Sequence, residues 1–371
     1  MSTAPNPKYR RIADALRQDL TKGIFAPGQK LPNDAELAAR FGTSRLTVIR
    51  AMRQLAEVGL VHRRAGSGTF VGPVRPAVST GRTFGLVIPN LGEGEIFEPV
   101  CAGMAQAGQP AHHTLLWGNT STTGKGIELD DRGEMAVSLC RRFIDLKVDG
   151  IFFAPLELAP HQDETNLRIA ACLEQAGIPV VLLDRCFLEY PHRSRYDLVG
   201  IDNRRAGFRM TEHLLQAACT RLGFLGRPGS AQTVDGRIAG FKEALARRGI
   251  AMPCDSVLRA EPADASTVLP WVESIGADGI VCATDFTAAQ LMQTLLANGV
   301  DIPRDVKLVG FDDVKYASLL PVPLTTLRQP CHEIGAEALR VMMQRIENPD
   351  APAKDIFLDC TIVIRQSCGK A

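Results

Sequence analysis

From residue 84 onward, short apolar runs alternate with helical stretches, and this alternation constrains the fold more than any other feature of the chain. Strands that alternate with helices form a parallel sheet with helices on both faces, so the pattern predicts an α/β fold. Roughly 290 residues are more than a domain built on one such sheet usually contains, so the length predicts two lobes of this kind. The strand runs are 84–89, 114–117, 150–154, 180–183, 198–201, 221–225, 279–283 and 306–310, and the helical stretches include 132–147, 167–175, 203–217, 235–248 and 287–297.

Charged or hydroxyl-bearing residues directly follow four of these strands. Ligands of open α/β sheets bind outside the carboxyl ends of the strands. Carboxylates and an arginine at those ends suit a polyhydroxylated ligand, because each group can bond two neighbouring hydroxyls. The alternative, that such a residue only caps the next helix, stays open and is strongest for Asp202 and Asp285. The residues are Asp184, Arg185, Asp202, Thr284, Asp285 and Asp312.

The net charge of +1 hides an asymmetry between the two ends of the chain. Residues 1–75 carry 13 Lys and Arg against 5 Asp and Glu, whereas the remainder carries 29 against 36. A basic segment on an acidic body predicts a module that binds a polyanion, although chance clustering on a solvated surface would look the same.

The basic segment contains three predicted helices, 8–22, 33–40 and 44–58. One face of the third helix is apolar and should face a core. The opposite face combines arginines with exposed apolar residues, which suits a major groove, where Arg reaches guanine edges or phosphate and Ile or Leu contacts a thymine methyl. Ser44 and Thr47 lie where a helix N-terminus favours phosphate. The groove-facing residues are Arg45, Leu46, Ile49, Arg50 and Arg53.

A short hairpin with a glycine-rich tip follows the third helix. Arg63 and Arg64 add positive charge to its first strand, and Gly66, Ser67 and Gly68 form the tip. The glycines allow the backbone to approach a phosphate or the minor-groove floor closely. A hairpin that only closes a small domain is the alternative, but its position after a helix-turn-helix favours a DNA-binding wing.

The segment from Leu31-Pro32, through Phe41-Gly42-Thr43-Ser44-Arg45-Leu46-Thr47-Val48, to Gly66-Ser67-Gly68-Thr69-Phe70-Val71 resembles the DNA-binding domain of GntR-type regulators. The resemblance implies that Ser44, Arg45 and Thr47 contact DNA and that Gly66 reaches the minor groove. This chain has Ile49 where the family usually has Arg, and Ala35 where Arg is common. The DNA half-site sequence that family members recognise therefore cannot be assigned to this chain.

The body resembles the effector domain of LacI/GalR-type regulators, a periplasmic-binding-protein-like fold. The resemblance rests on stretches such as Ile178-Pro179-Val180-Val181-Leu182-Leu183-Asp184-Arg185, Arg237-Ile238-Ala239-Gly240-Phe241 and Val309-Gly310-Phe311-Asp312-Asp313. It implies that one aromatic residue stacks on a sugar ring and that charged residues from both lobes bind its hydroxyls. Thr284 stands where family members often have Asn, which removes a two-way hydrogen-bonding group. The implied ligand residues are Phe97, Asp184, Arg185, Arg237, Thr284, Asp285, Asp312 and Gln329.

Together these features predict a winged helix-turn-helix at 1–72, a linker at 73–83 and a two-lobed sensing domain at 84–371. The combination resembles arabinose-responsive repressors, and it implies a homodimer that binds double-stranded operator DNA under control of a sugar. We expect a cytoplasmic protein, because no signal peptide is visible, with no cofactor and no metal site. Two alternatives remain, a carbohydrate-active enzyme using paired carboxylates such as Asp312 and Asp313, and a transport receptor.

Overall fold

The computed structural model describes residues 8–21, 24–25, 28–57, 61–64, 68–71, 81–88, 96–118 and 131–369. The chain divides into two compact units, Met1–Thr80 and Gly81–Ala371, and each is described by itself. Of the predicted linker, 73–83, residues 73–80 lie outside the described residues, and Thr83 already begins the first strand of the second unit.

The first unit consists of three helices and a hairpin, as the sequence predicts. The hairpin strands are antiparallel, with Val61 opposite Val71. The segment before the second helix pairs with the outer strand, where Leu31 N donates to the Thr69 carbonyl at 2.9 Å and Val71 N to the Gln29 carbonyl at 2.8 Å. This is a winged helix-turn-helix. Its elements are α1 Lys8–Thr21, α2 Asp34–Arg40, α3 Arg45–Glu57, β1 Val61–Arg64 and β2 Gly68–Val71.

A small apolar core positions the third helix of this unit. Helix α2 begins with a capping box, in which Asn33 Oδ1 accepts from Glu36 N at 3.0 Å and Glu36 Oε2 accepts from Asn33 N at 2.7 Å. Such a cap stabilises a helix by about 1 kcal/mol. The apolar face of α3 packs into the core, so its other face is left to solvent. The buried residues are Ile12, Ala13, Leu16, Leu31, Leu37, Ala38, Val48, Ala51, Met52, Leu55, Val61 and Val71.

The second unit has two lobes, each built on a six-stranded sheet with helices on both faces, which confirms the predicted α/β fold. The first sheet has the order β13-β7-β6-β5-β3-β4 and is parallel throughout. The second has the order β14-β12-β11-β10-β8-β9, with only β14 antiparallel to its neighbour. The strands are β3 Thr83–Val87, β4 Thr114–Trp117, β5 Gly150–Phe153, β6 Val180–Leu183, β7 Asp197–Ile201, β8 Leu222–Gly226, β9 Val257–Arg259, β10 Gly279–Cys282, β11 Lys307–Asp312, β12 Thr325–Arg328, β13 Asp355–Leu358 and β14 Thr361–Val363.

The chain crosses between the lobes three times. It leaves the first lobe after β7 and returns after β12, because the following helix packs on α4, β6 and β7. It crosses again between β13 and β14. Three parallel crossings form a hinge that permits one lobe to rotate against the other. The helices are α4 Phe97–Gly108, α5 Asp131–Asp145, α6 Gln162–Ala176, α7 Asn203–Gln216, α8 Gln232–Arg247, α9 Ala265–Ser274, α10 Asp285–Ala297 and α11 Cys331–Glu347.

All eight predicted strands occur, and four further strands, β9, β12, β13 and β14, escaped the hydrophobic pattern. Strand β12 lies inside its sheet, but its first two residues are threonines. Thr325 is fully buried, and its hydroxyl is satisfied by a hydrogen bond to the Arg365 carbonyl at 2.9 Å. Because the buried residues at the start of this strand are threonines, the sequence lacks the apolar run by which the other buried strands were predicted. In the part of the chain that the structure describes, no helix could span a bilayer.

Candidate ligand cavity and nucleic-acid interface

A cavity of about 500 Å³ opens between the two lobes at the carboxyl ends of their strands. This volume lies within the usual range for small-molecule sites. Within the described ranges, its walls carry seven charged side chains, four arginines and three carboxylates, together with two aromatic rings. The lining residues are Ile96, Phe97, Arg132, Glu157, Leu158, Asp184, Arg185, Arg227, Ser230, Thr233, Val234, Arg237, Ala283, Thr284, Phe286, Thr287, Asp312 and Gln329.

Arg185 organises the wall of the first lobe. Its guanidinium donates to the Pro155 carbonyl at 2.9 Å and forms an ion pair with Glu157. It also lies over the Phe97 ring at 5.7 Å from the ring centre. Burial raises the pKa of Glu157, but the Arg185 charge and the hydrogen bonds to the carboxylate outweigh it, so the net pKa is lowered. Arg185 is therefore held in place before any ligand arrives.

Asp184 presents an unsatisfied acceptor to the cavity. Its Oδ2 lies 3.4 Å from the Arg185 guanidinium, whereas its buried Oδ1 has no hydrogen-bond partner among the described residues. Burial is the main cause that raises the pKa of this carboxyl, despite the nearby Arg185 and Arg237 charges. Asp184 also has φ +68°, a left-handed conformation that costs a non-glycine residue about 1–3 kcal/mol. Asp184 therefore holds a buried oxygen without a partner among the described residues at the cavity wall.

A second chain of polar contacts forms the wall of the other lobe. Arg237 donates to Asn203 Oδ1 at 2.9 Å and to the Ala283 carbonyl at 2.6 Å, and its guanidinium stacks on the Phe311 ring at 4.5 Å. Its remaining nitrogen lies 3.9 Å from Asp312 Oδ1. Burial raises the pKa of Asp312.

Gln329 connects this wall to the hinge. Its Nε2 donates to Asp312 Oδ1 at 2.7 Å, and it lies on the crossing segment that follows β12. Asp312, like Asp184, adopts a positive φ, +113°. The two carboxylates thus stand in strained conformations at the ends of equivalent strands, one in each lobe.

The lobes also contact each other at the mouth of the cavity. Leu158 N and Gln162 Nε2 of the first lobe both donate to the Gly229 carbonyl of the second, at 3.0 and 3.1 Å. Glu157 accepts from Ala231 N at 3.2 Å. Glu157 therefore contacts both Arg185 inside the cavity and the opposite lobe.

The structure brings seven of the eight predicted ligand residues to this cavity, and Asp285 is the exception. Asp285 is fully buried, its Oδ1 accepts from the Thr326 hydroxyl at 2.6 Å, and its Oδ2 accepts from Val314 N at 3.1 Å. Both oxygens hold the fold of the second lobe together, so this residue does not face a ligand. Thr284 lines the cavity, but its hydroxyl also caps α10 by accepting from Thr287 N at 3.1 Å.

Sequence reasoning missed several cavity residues. Glu157 and Arg227 follow β5 and β8 within a few residues. Each is a charged residue shortly after a strand, the same signal that predicted Asp184, so both could have been predicted from the sequence. Phe286 gave no such signal, because its position under the Arg227 guanidinium, 5.6 Å from the ring centre, depends on tertiary contacts. Within the described ranges, no group of three or more His, Cys, Asp or Glu side chains could hold a metal ion.

The exposed face of α3 is the candidate nucleic-acid interface. Leu46 and Ile49 are 78% and 37% exposed, and Arg45 and Arg50 are exposed beside them. Ser44 and Thr47 lie at the start of the helix, with their hydroxyl oxygens 2.9 Å apart. This surface combines cations with apolar side chains in the manner that base edges require.

Two predicted DNA contacts have partners within the unit. The Arg50 guanidinium lies over the Tyr9 ring at 4.3 Å, and Arg63 pairs with Asp34 at 2.9 Å. Gly68 has φ +114°, a conformation that favours glycine. Of the other predicted hairpin contacts, the Arg64 side chain, Gly66 and Ser67 lie outside the described residues.

Two family models match the chain. Residues 8–71 match the bacterial regulatory proteins of the gntR family, and residues 211–368 match a periplasmic binding protein-like domain. The first match covers the winged unit, and the second covers most of the second lobe and the final crossings. Both agree with the two resemblances drawn from sequence.

Relatives and solved structures extend the similarity along the whole chain. A protein of Geobacillus stearothermophilus named arabinose metabolism transcriptional repressor is 27% identical over 372 residues, 97% of each chain. The HTH-type transcriptional regulator GalR of Escherichia coli is 28% identical over 87% of each chain. The transcriptional regulator CelR in complex with cellobiose has a TM-score of 0.65 at 20% identity and covers 91% of this chain and 100% of that one.

A LacI family regulator from Enterococcus faecium with bound ribose has a TM-score of 0.60 at 22% identity and covers 77% of this chain and 98% of that one. Similarity at this identity concerns the fold alone, and it supports the two-lobed architecture described above. The chain therefore combines a segment that matches the gntR-family model with one that matches the periplasmic binding protein-like model, and along most of its length it is similar to proteins named as transcription regulators.

Proposed function

We propose that this protein is a transcription repressor whose binding to operator DNA is controlled by a small polyhydroxylated ligand, a sugar or sugar derivative. One observation carries the proposal: a single chain combines an exposed helix of arginines and apolar side chains with a cleft whose polar groups are buried and partly unsatisfied. The relatives that match along most of its length are named as transcription regulators.

Ligand contacts from both lobes would couple sensing to DNA binding. A polyol would hydrogen bond to Asp184 and Arg185 on one wall and to Arg237 and Asp312 on the other. It can make all of these contacts at once only when the lobes are close together. It therefore stabilises the arrangement in which Gly229 accepts its hydrogen bonds from the first lobe. A ligand shifts an equilibrium only by its preference for one state, and contacts to both walls supply that preference.

The same proposal assigns roles to residues on each unit. Ser44, Arg45, Thr47, Ile49 and Arg50 would contact DNA from α3, and the hairpin would contact the minor groove. Phe97 would stack on the ring of the ligand, and Thr284 and Gln329 would complete the polar contacts. A homodimer would read two half-sites, and a chromosomal target places the protein in the cytoplasm.

The alternative of a carbohydrate-active enzyme depends on Asp312 and Asp313 acting as paired carboxylates, and the contacts of Asp313 argue against it. Asp313, the proposed partner of Asp312, accepts from Arg328 at 2.6 Å and from Arg365 at 2.6 Å. A carboxylate tied to two arginines is a poor general acid or base, because both of its oxygens are already occupied as acceptors.

The test is a selection of bound duplexes from a random library, followed by titration of the selected operator with sugars. We expect one duplex sequence to be enriched and one class of compound to change its affinity by at least tenfold. A protein that enriches no sequence at physiological salt, with or without ligands, would contradict the DNA-binding assignment. An operator complex insensitive to every compound tested would contradict the sensor assignment alone.

A further inference from the structure

Three of the four arginines in the cavity are matched by protein groups. Arg185 pairs with Glu157, and Arg237 bonds an amide oxygen and a carbonyl beside Asp312. Arg227 forms two hydrogen bonds to Glu261, at 3.0 and 3.3 Å. These arginines can shape a ligand site without requiring a charge on the ligand.

Arg132 differs from the other three. It lies in the first turn of α5 and lines the same cavity. Its Nε is buried and has no hydrogen-bond partner, and no carboxylate pairs with its guanidinium among the residues the structure describes. Burying a guanidinium nitrogen without a hydrogen-bond acceptor costs free energy. We therefore expect a bound ligand to supply the acceptor.

The remaining charges of the cavity do not supply that partner. Among the described residues of its walls, arginines outnumber carboxylates by four to three. Burial raises the pKa of two of those carboxyls, Asp184 and Asp312, which lowers their tendency to carry negative charge. The N-terminal turn of α5 adds the positive end of a helix dipole near Arg132. The described part of the cavity wall therefore favours an anion.

We infer that the effector is a polyhydroxylated anion, a sugar acid or a sugar phosphate, whose oxyanion is bound by Arg132. This inference rests on the proposed function and narrows its ligand class. Arginine presents donors in a planar fork that matches carboxylate and phosphate oxygens. Asp184, Arg185, Arg237 and Asp312 then bind the hydroxyls, and Phe97 faces the carbon skeleton.

The experiment is calorimetric titration of the full-length protein with matched compounds. Each neutral sugar is paired with its acid, such as glucose with gluconate and glucuronate, galactose with galacturonate, and arabinose with arabinonate. Glucose 6-phosphate and ribose 5-phosphate form a separate arm that distinguishes phosphate from carboxylate. We expect at least one anion to bind at least tenfold more tightly than its neutral parent, a difference of about 1.4 kcal/mol.

Variants connect that preference to Arg132. Arg132→Gln should reduce the ratio between anion and neutral parent to less than threefold, and Arg132→Lys should retain part of it because the charge remains. Arg141→Gln is the matched control, since Arg141 is an exposed arginine on the same helix that does not line the cavity. It should leave the ratio unchanged.

Several outcomes would overturn the inference. They are a neutral sugar that binds as tightly as its acid and phosphate, an unchanged ratio in Arg132→Gln, and no binding by any anion tested. If neutral sugars alone release the selected operator, the proposed function stands and only the anion is wrong. If no duplex is selected, the proposed function fails independently, and calorimetry still decides what the cavity binds.

Discussion

The DNA-facing helix and the ligand cavity both depend on arginine, but they hold it in opposite ways. Arg45 is exposed on α3, and the described residues offer it no ion-pair partner. Arg237 is 3% exposed and is held by an amide, a carbonyl and an aromatic ring. DNA is a polyanion, so its charge can fix an exposed arginine side chain when the complex forms. A small ligand makes fewer contacts and binds better to groups that are already held in place. The comparison predicts that equivalent substitutions affect stability in one unit and only binding in the other.

The largest effect is expected from Arg237→Met. The substitution keeps most of the side-chain volume but removes the cation that lies 3.9 Å from buried Asp312, and breaking a buried pair typically costs about 3–5 kcal/mol. Chemical denaturation should show a loss of about 3 kcal/mol in the free energy of unfolding of the sensing unit. Arg45→Met is the control and should change it by less than about 0.5 kcal/mol. Equal losses in the two variants would remove the contrast.

Arg45→Ala should act on DNA binding alone. An arginine that bonds a base edge contributes about 1–3 kcal/mol, so affinity for the selected operator should fall by roughly tenfold to a hundredfold. Fluorescence anisotropy against operator and random duplex measures this change. A variant with unchanged operator affinity would show that α3 does not enter the groove through this residue.

Asp184→Asn should separate ligand binding from stability. The folded protein raises the pKa of Asp184, so the stability that this group contributes is full below the pKa of the unfolded chain and is lost as pH rises through the folded pKa. Asn carries no charge, so the variant should be more stable than the parent at neutral pH and less pH-dependent. Its effector affinity should fall about tenfold, because a charge-assisted hydrogen bond is lost. Lower stability of the variant at neutral pH would contradict this account.

The smallest effect is expected from Arg63→Ala. The ion pair between Arg63 and Asp34 is exposed on the arginine side, at 64%, so its loss should cost less than about 1 kcal/mol of stability. If Arg63 exchanges Asp34 for a phosphate on binding, the slope of log affinity against log salt should fall by roughly 0.9. An unchanged slope would mean that Arg63 stays with Asp34 in the complex.

Much of the architecture was predictable because the apolar pattern of parallel strands is local. Strand β6 reads Val180-Val181-Leu182-Leu183, and the two charged residues that follow it line the cavity, as expected. Asp285 does not line the cavity, and nothing local in the sequence shows that Gly310 leaves room for its carboxylate. A Cβ at residue 310 would lie 2.2 Å from Asp285 Oδ1, so this contact depends on a distant glycine.

The sequence by itself determined the two units, the parallel strands and the strand ends at which charged residues gather, since these follow from periodicity and short-range order. Only the tertiary structure decided which of those charges are satisfied. It gave Asp285 donors from Val314 and Thr326, and among the described residues it left Asp184 Oδ1 and Arg132 Nε without partners. Pairing depends on residues far apart in the chain, and a charge reveals its role only when its neighbours in space are known.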